Sequence, residues 1–146
     1  MTYGVVDVHA STLTYARAGH CPLIHLPGPH ALSREPVLLP PDGMVLGMDI
    51  EDGRLFERLL EESTVALGLG DVFVLYTDGV TEAMSPDGEF FGEGRLSALA
   101  QQYSSGSFAD LRKEVLSAIN VFSAASEQQD DITMLVLQVQ QLPVAA

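Results

Sequence analysis

Two near-continuous apolar runs, VFVLY at 72–76 and ITMLVL at 132–137, constrain this chain more than any other feature, because each adjoins acids directly. The first runs into Thr77, Asp78 and Gly79, and the second follows Asp130 and Asp131. Runs this short and this apolar read as strands covered on both faces, one cover being a second sheet and the other a helix layer. A carboxylate at the mouth of a buried strand is costly unless water, a metal ion or a partner charge satisfies it. Asp78 is therefore either a turn residue, Asp-Gly being a common turn dipeptide, or a ligand. If the two strands are antiparallel neighbours, Asp78 and Asp130 sit at the same edge of the sheet. Two carboxylates converging there suit hard cations such as Mg²⁺ or Mn²⁺ rather than zinc or copper.

The rest of the chain supplies layers for these strands. Residues 3–9 and 12–18 alternate like two strands joined around Ala10 and Ser11, and 23–26 read as a third. Proline and glycine then punctuate the chain as far as residue 43, marking loops or edge strands. Segments 63–67 and 71–77, separated by Gly68-Leu69-Gly70, read as a hairpin within one sheet. Helical spacing follows in Leu96, Leu99 and Ala100, then in Leu111, Val115, Ile119 and Phe122, with Ser107 as the expected N-cap of the second helix. The expected order is strands over about 3–40, a hairpin over about 63–78, two helices over about 92–123 and a last strand over about 131–140. Strands, then helices, then a returning strand predict a single α+β domain, a layered β-sandwich flanked by helices.

Composition narrows the function. Seven Lys and Arg against 20 Asp and Glu give a formal charge of −13, and a surface that acidic repels a phosphate backbone, so nucleic acid is not an expected partner. Cys21 stands alone, which excludes an internal disulfide and a Cys-based zinc site. No stretch approaches the roughly 20 apolar residues of a membrane span, and the N-terminus alternates like a strand rather than a leader. A cytoplasmic domain, or a piece of one, is the expectation. His9, His20, His25 and His30 follow no standard ligand spacing; His20 is expected to fix the Ala18-Gly19-His20 turn. Arg17 and Arg95 are expected to be solvated or ion-paired.

YTDGVTEAMSPDGEFFGEGRL followed by DDITMLVLQV resembles the C-terminal half of the bacterial metal-dependent protein phosphatases, the PPM or type 2C-like family. The branch it is most similar to is that of stage II sporulation protein E and the sigma-factor regulatory phosphatases. YGVVDVHASTLTYARAGHCPLIHL and PPDGMVLGM match as well, in the same order. The resemblance implies a β-sandwich flanked by helices, with a two-metal Mg²⁺ or Mn²⁺ centre at one edge. It makes Asp78 and Asp130 direct metal ligands, acting catalytically through a metal-activated water. Asp131, where many relatives carry Asn, takes a supporting role. Gly79 is expected to permit the turn that holds Asp78 outward, and Thr77 and Glu82 either support the ligands or cap the short helical turn after the strand. The implied reaction is hydrolysis of phosphoserine or phosphothreonine on a regulatory protein of the anti-anti-sigma type.

Relatives of this family begin with an earlier acidic strand and an Asp-x-x-Gly-His-Gly type motif, to which nothing here corresponds. The chain is therefore expected to be a partial phosphatase domain lacking some metal ligands, inactive or weakly active by itself. An exposed sheet edge would make a homodimer plausible. The competing expectation is a catalytically incomplete module that binds a partner or dimerises.

Overall fold

Alternating apolar and polar residues around a tight turn start the fold. In a computed structural model, which describes residues 1–48, 50–103, 108–124 and 130–143, β1 (Thr2–Asp7) pairs antiparallel with β2 (Thr12–Arg17). The Asp7 carboxylate closes the turn by accepting the Ala10 and His9 amides at 2.8 and 2.9 Å. Those two bonds hold its pKa below the ordinary carboxylate value. On the far side of β2 lies β5 (Glu62–Ala66), where the Thr14 and Thr64 hydroxyls meet at 2.8 Å. A second antiparallel sheet has the order β4 (Val37–Leu39), β3 (Leu23–Leu26), β6 (Val72–Tyr76), β7 (Met134–Gln138).

The two sheets pack face to face, with Leu13 and Tyr15 of the first against Leu23 and Phe73 of the second. The other face of the four-stranded sheet carries Ile24, Leu26, Val72, Val74 and Tyr76. It is covered by Leu96 and Ala100 of α3 (Gly92–Tyr103) and by Leu111, Val115 and Ile119 of α4 (Phe108–Phe122). Leu99 and Phe122 pack at the margin, so both predicted helical stripes face the core. Ser107, the expected N-cap, lies outside the described residues. The fold is thus α+β, with a helix layer, a four-stranded sheet and a three-stranded sheet. A further helix, α1 (Arg54–Leu59), was not expected and has no buried residue, although Leu55, Phe56, Leu59 and Leu60 recur at helical spacing in the sequence.

The expected hairpin over 63–78 does not form. β5 belongs to the three-stranded sheet and β6 to the four-stranded one, so Gly68-Leu69-Gly70 carries the chain from one sheet to the other. The physical reason is the buried Asp71. Its carboxylate accepts the Gly28 amide at 2.7 Å and the Gly68 amide at 2.8 Å, and lies 3.1 Å from Nε2 of His25. The His25 contact falls outside hydrogen-bond geometry and is electrostatic, while the imidazole stacks on Phe73 with centroids 4.6 Å apart. Val65 and Leu67 then pack against the inter-sheet cluster that contains Phe73, across the layers instead of beside β6.

Two further expectations change. β6 is buried on both faces, but β7 is not: Leu135 is 53% exposed and Leu137 is 42% exposed, because β7 is the edge strand of its sheet. Arg17 is half-buried and, among the described residues, has no ion pair; it donates to the carbonyls of His20 at 2.6 Å and Pro41 at 3.2 Å, sharing the work of holding the turn with His20. Arg95 does reach Glu89 at 3.5 Å, yet it also donates to the Phe90 and Phe91 carbonyls and lies over the Phe122 ring.

Candidate metal centre

β6 delivers Asp78 to the surface because its own residues are held on both sides and the strand must stop where the sandwich ends. Tyr76 pairs with Met134 in the last register position of β6 and β7. Thr77 then clips the two chain segments together: its amide donates to the Thr133 carbonyl at 3.0 Å and its hydroxyl to the Asp131 carbonyl at 2.7 Å. The same hydroxyl oxygen accepts the Thr133 amide at 2.9 Å. Asp78 opens the one-turn helix α2 (Asp78–Thr81) and stays exposed, while Gly79, Val80 and Thr81 are buried behind it.

Gly79 owes its place to a close approach of two backbones. A Cβ there would lie 2.5 Å from the Asp131 carbonyl oxygen and 3.1 Å from that of Asp130. Its φ is not among the positive values that glycine alone adopts easily, so contact with the loop before β7, more than the turn itself, demands glycine. Asp78 and the Asp130-Asp131 pair therefore occupy facing segments at one end of the β6/β7 ladder. Oδ1 of Asp78 accepts the Gly79 amide at 3.1 Å, and Oδ1 of Asp130 accepts the Asp131 amide at 2.6 Å. Asp130 and Asp131 are exposed, as is Glu82, whose amide closes α2 on the Asp78 carbonyl at 2.7 Å.

Negative charge extends inward from this edge. Burial first, then the charges of Asp78, Glu93 and Glu82, push the Cys21 thiol above its ordinary pKa. Tyr76 is 2% exposed, and its hydroxyl is also held well above its ordinary value, by burial first and then by Glu93. Glu93, in the first turn of α3, thus shares this neighbourhood with Asp78 and Glu82. Its only signal in the sequence is an acid inside FGEGR, which reads equally well as an ordinary helix entry. The donors facing this edge are hard oxygens, the kind that Mg²⁺ and Mn²⁺ take. Among the described residues no group of three or more His, Cys, Asp and Glu could hold a metal ion, so the carboxylates fit such cations in kind while forming only part of a shell. Among the same residues no helix is long and apolar enough to cross a membrane.

A sandwich with helices against one sheet and acids at the mouth of its central strand is the fold of the type 2C-like protein phosphatases. The SiaA-PP2C domain of Pseudomonas aeruginosa superimposes with a TM-score of 0.71 at 19% identity, covering 94% of this chain and 50% of that one. The phosphatase domain of the cell fate determinant SpoIIE from Bacillus subtilis, presoaked with Mn, gives 0.62 at 12% identity, covering 100% of this chain and 59% of that one. Protein IcfG of Synechocystis sp. is 31% identical over 136 residues, which are 91% of this chain and 19% of that protein. The family model of Stage II sporulation protein E (SpoIIE) matches residues 1–140, and the chain belongs to that family. It spans about half the length of the SiaA domain and about a fifth of Protein IcfG.

Proposed function

We propose that the chain contributes to a Mg²⁺- or Mn²⁺-dependent serine/threonine protein phosphatase in the cytoplasm. Its substrate class would be phosphoserine or phosphothreonine on a regulatory protein of the anti-anti-sigma type. The observation that carries this reading is the junction at Thr77, Gly79 and Asp131, which sets Asp78 and Asp130 on facing segments at one end of a rigid ladder. Asp78 and Asp130 would hold the cations, Asp131 and Glu82 would add to the negative field, and Thr77 and Gly79 would set the spacing. Two divalent cations, when bound, supply activation of water and neutralisation of charge on the phosphoryl group. Family membership and the Mn presoak of the B. subtilis SpoIIE domain support the choice of cation.

A second reading is a catalytically incomplete phosphatase-like module that binds a partner or dimerises. It is favoured by the partial donor shell among the described residues. Mn²⁺-dependent hydrolysis of p-nitrophenyl phosphate by the 146-residue chain, beside Asp78→Asn and Asp130→Asn, separates the two. Turnover that falls in both variants by more than the roughly 10- to 100-fold cost of losing a mere outer-shell partner supports the phosphatase. Turnover indifferent to both substitutions removes the metal assignment. Saturable Mn²⁺ binding that requires Asp78, without turnover, supports the module.

A further inference from the structure

One buried polar group beside the candidate edge lacks a partner. Tyr76, the last residue of β6, is 2% exposed, and among the described residues its hydroxyl makes no hydrogen bond. Buried hydroxyls are almost always bonded, since an unmet one carries the full cost of its desolvation. The oxygen is closed to solvent, so its partner is a group already packed around it rather than one arriving from outside. Three ionisable groups act on it, Glu93 most strongly, then Cys21 and Arg17. The Arg17 guanidinium can only donate and already serves two carbonyls, and a thiol is a weak acceptor. The Glu93 carboxylate is the strong acceptor of the three, and among the described residues it holds no hydrogen bond or ion pair of its own.

The fold fixes where Glu93 stands. After α2 the chain turns back through a short hairpin in which Met84 bridges Phe90 and the Phe91 amide donates to the Ala83 carbonyl at 2.9 Å. Phe91 and Leu96, on either side of Glu93, are buried in the same cluster as Tyr76. The first turn of α3 is thereby set against α2, which Asp78 opens. Glu93 is half-buried there, and its charge reaches the Cys21 thiol together with those of Asp78 and Glu82. An acid in the first turn of a helix ordinarily does no more than complement the helix dipole. One that also stands beside an unmet buried hydroxyl has a second task.

We propose that Glu93 is a positioning residue of this edge: its carboxylate accepts the Tyr76 hydroxyl and, so held, orients water around a divalent cation at Asp78. It acts through water because, among the described residues, no three such groups could hold one ion together. The hydrogen bond rests on the fold alone, whereas the role toward the cation rests on the phosphatase reading.

Two measurements on the 146-residue chain test it. The first is made without metal, as a double-mutant cycle of Tyr76→Phe and Glu93→Gln read by urea titration. The expected coupling is about tenfold or more in the folding equilibrium, as for a hydrogen bond to a charged group. A Tyr76→Phe chain at least as stable as the parent, with additive effects in the pair, overturns the hydrogen bond and the proposal with it. The second is Mn²⁺ affinity by calorimetry, with circular dichroism confirming that each variant folds. Glu93→Gln should weaken binding about 10- to 100-fold, as losing an outer partner of a metal site does. Tyr76→Phe should weaken it in the same direction and add nothing to Glu93→Gln. Asp87→Asn, which removes an exposed acid of the same hairpin, should leave affinity unchanged. Binding that requires Asp78 but is indifferent to Glu93→Gln sinks this proposal and leaves the cation reading standing. A parent chain that binds no Mn²⁺, or binds it regardless of Asp78→Asn, removes the cation reading and the role of Glu93 together.

Discussion

The two faces of the four-stranded sheet are built to different standards. Among the described residues, twelve form a buried cluster against the helices, from Ile24 through Val74 to Ile119. Among the same residues the buried cluster against the other sheet has four, namely Leu13, Tyr15, Leu23 and Phe73, and its margin on β1 and β7 is half open. Since burial of a large apolar side chain is worth about 1.5–3 kcal/mol, the helix side carries most of the stability. The candidate site depends on both: β6 is anchored by the helix side, whereas the loop bearing Asp130 joins β7, which among the described residues is paired along one edge only. A strand flanked on both edges thus holds one acid, and the other is presented by a strand that these residues flank on one.

The contrast can be broken at the corner that joins the sheets. Asp71→Ala should cost about 2–4 kcal/mol, because it leaves the buried Gly28 amide and the half-buried Gly68 amide without their acceptor. Denaturant titration reads this directly, and a loss under about 1 kcal/mol would mean that the corner does not organise the layers. A matched pair sharpens the contrast itself. Leu96→Ala on the helix side should cost about 2–5 kcal/mol. Leu135→Ala, at 53% exposure, should cost a fraction of that in a monomeric sample, and equal costs would remove the distinction between the faces. The smallest effect is expected from Thr77→Val, which deletes two side-chain hydrogen bonds worth about 1 kcal/mol each. Its mark should be faster hydrogen exchange at the Thr133 amide with little change elsewhere.

The better-built face was also the more legible in the sequence. Leu96, Ala100, Leu111, Val115 and Ile119 recur at helical spacing and all enter the core, since one packed face imposes one period. The antiparallel pairing of β6 with β7, stated from the sequence only as the condition for Asp78 and Asp130 to share an edge, is present in register. The open face was misread in two places. Gly68-Leu69-Gly70 between two apolar segments looks the same whether the second strand lies beside the first or across from it. What decides the matter is Asp71, whose three contacts come from residues up to 46 positions away (His25 to Asp71) and leave no local trace. The exposure of β7 was hidden because ITMLVL reads as covered whether or not anything covers it. At the site, their places at strand mouths marked Asp78 and Asp130 as turn residues or ligands without deciding between the two, and the ligand role came from the family resemblance. The reason for Gly79 left no such mark, because the backbone that presses on it arrives from residues 130 and 131.

That pressure makes Gly79 a shim of zero thickness between two acid-bearing segments. A single methyl would start 2.5 Å from the Asp131 oxygen, where ordinary contact needs about 3.5 Å, so the segments would have to part by roughly 1 Å. Hard cations hold their oxygens at nearly fixed lengths and do not stretch to follow such a shift. The gauge of this edge is thus set by an atom the chain leaves out, and the smallest side chain in the molecule fixes the span between the segments that carry Asp78 and Asp130.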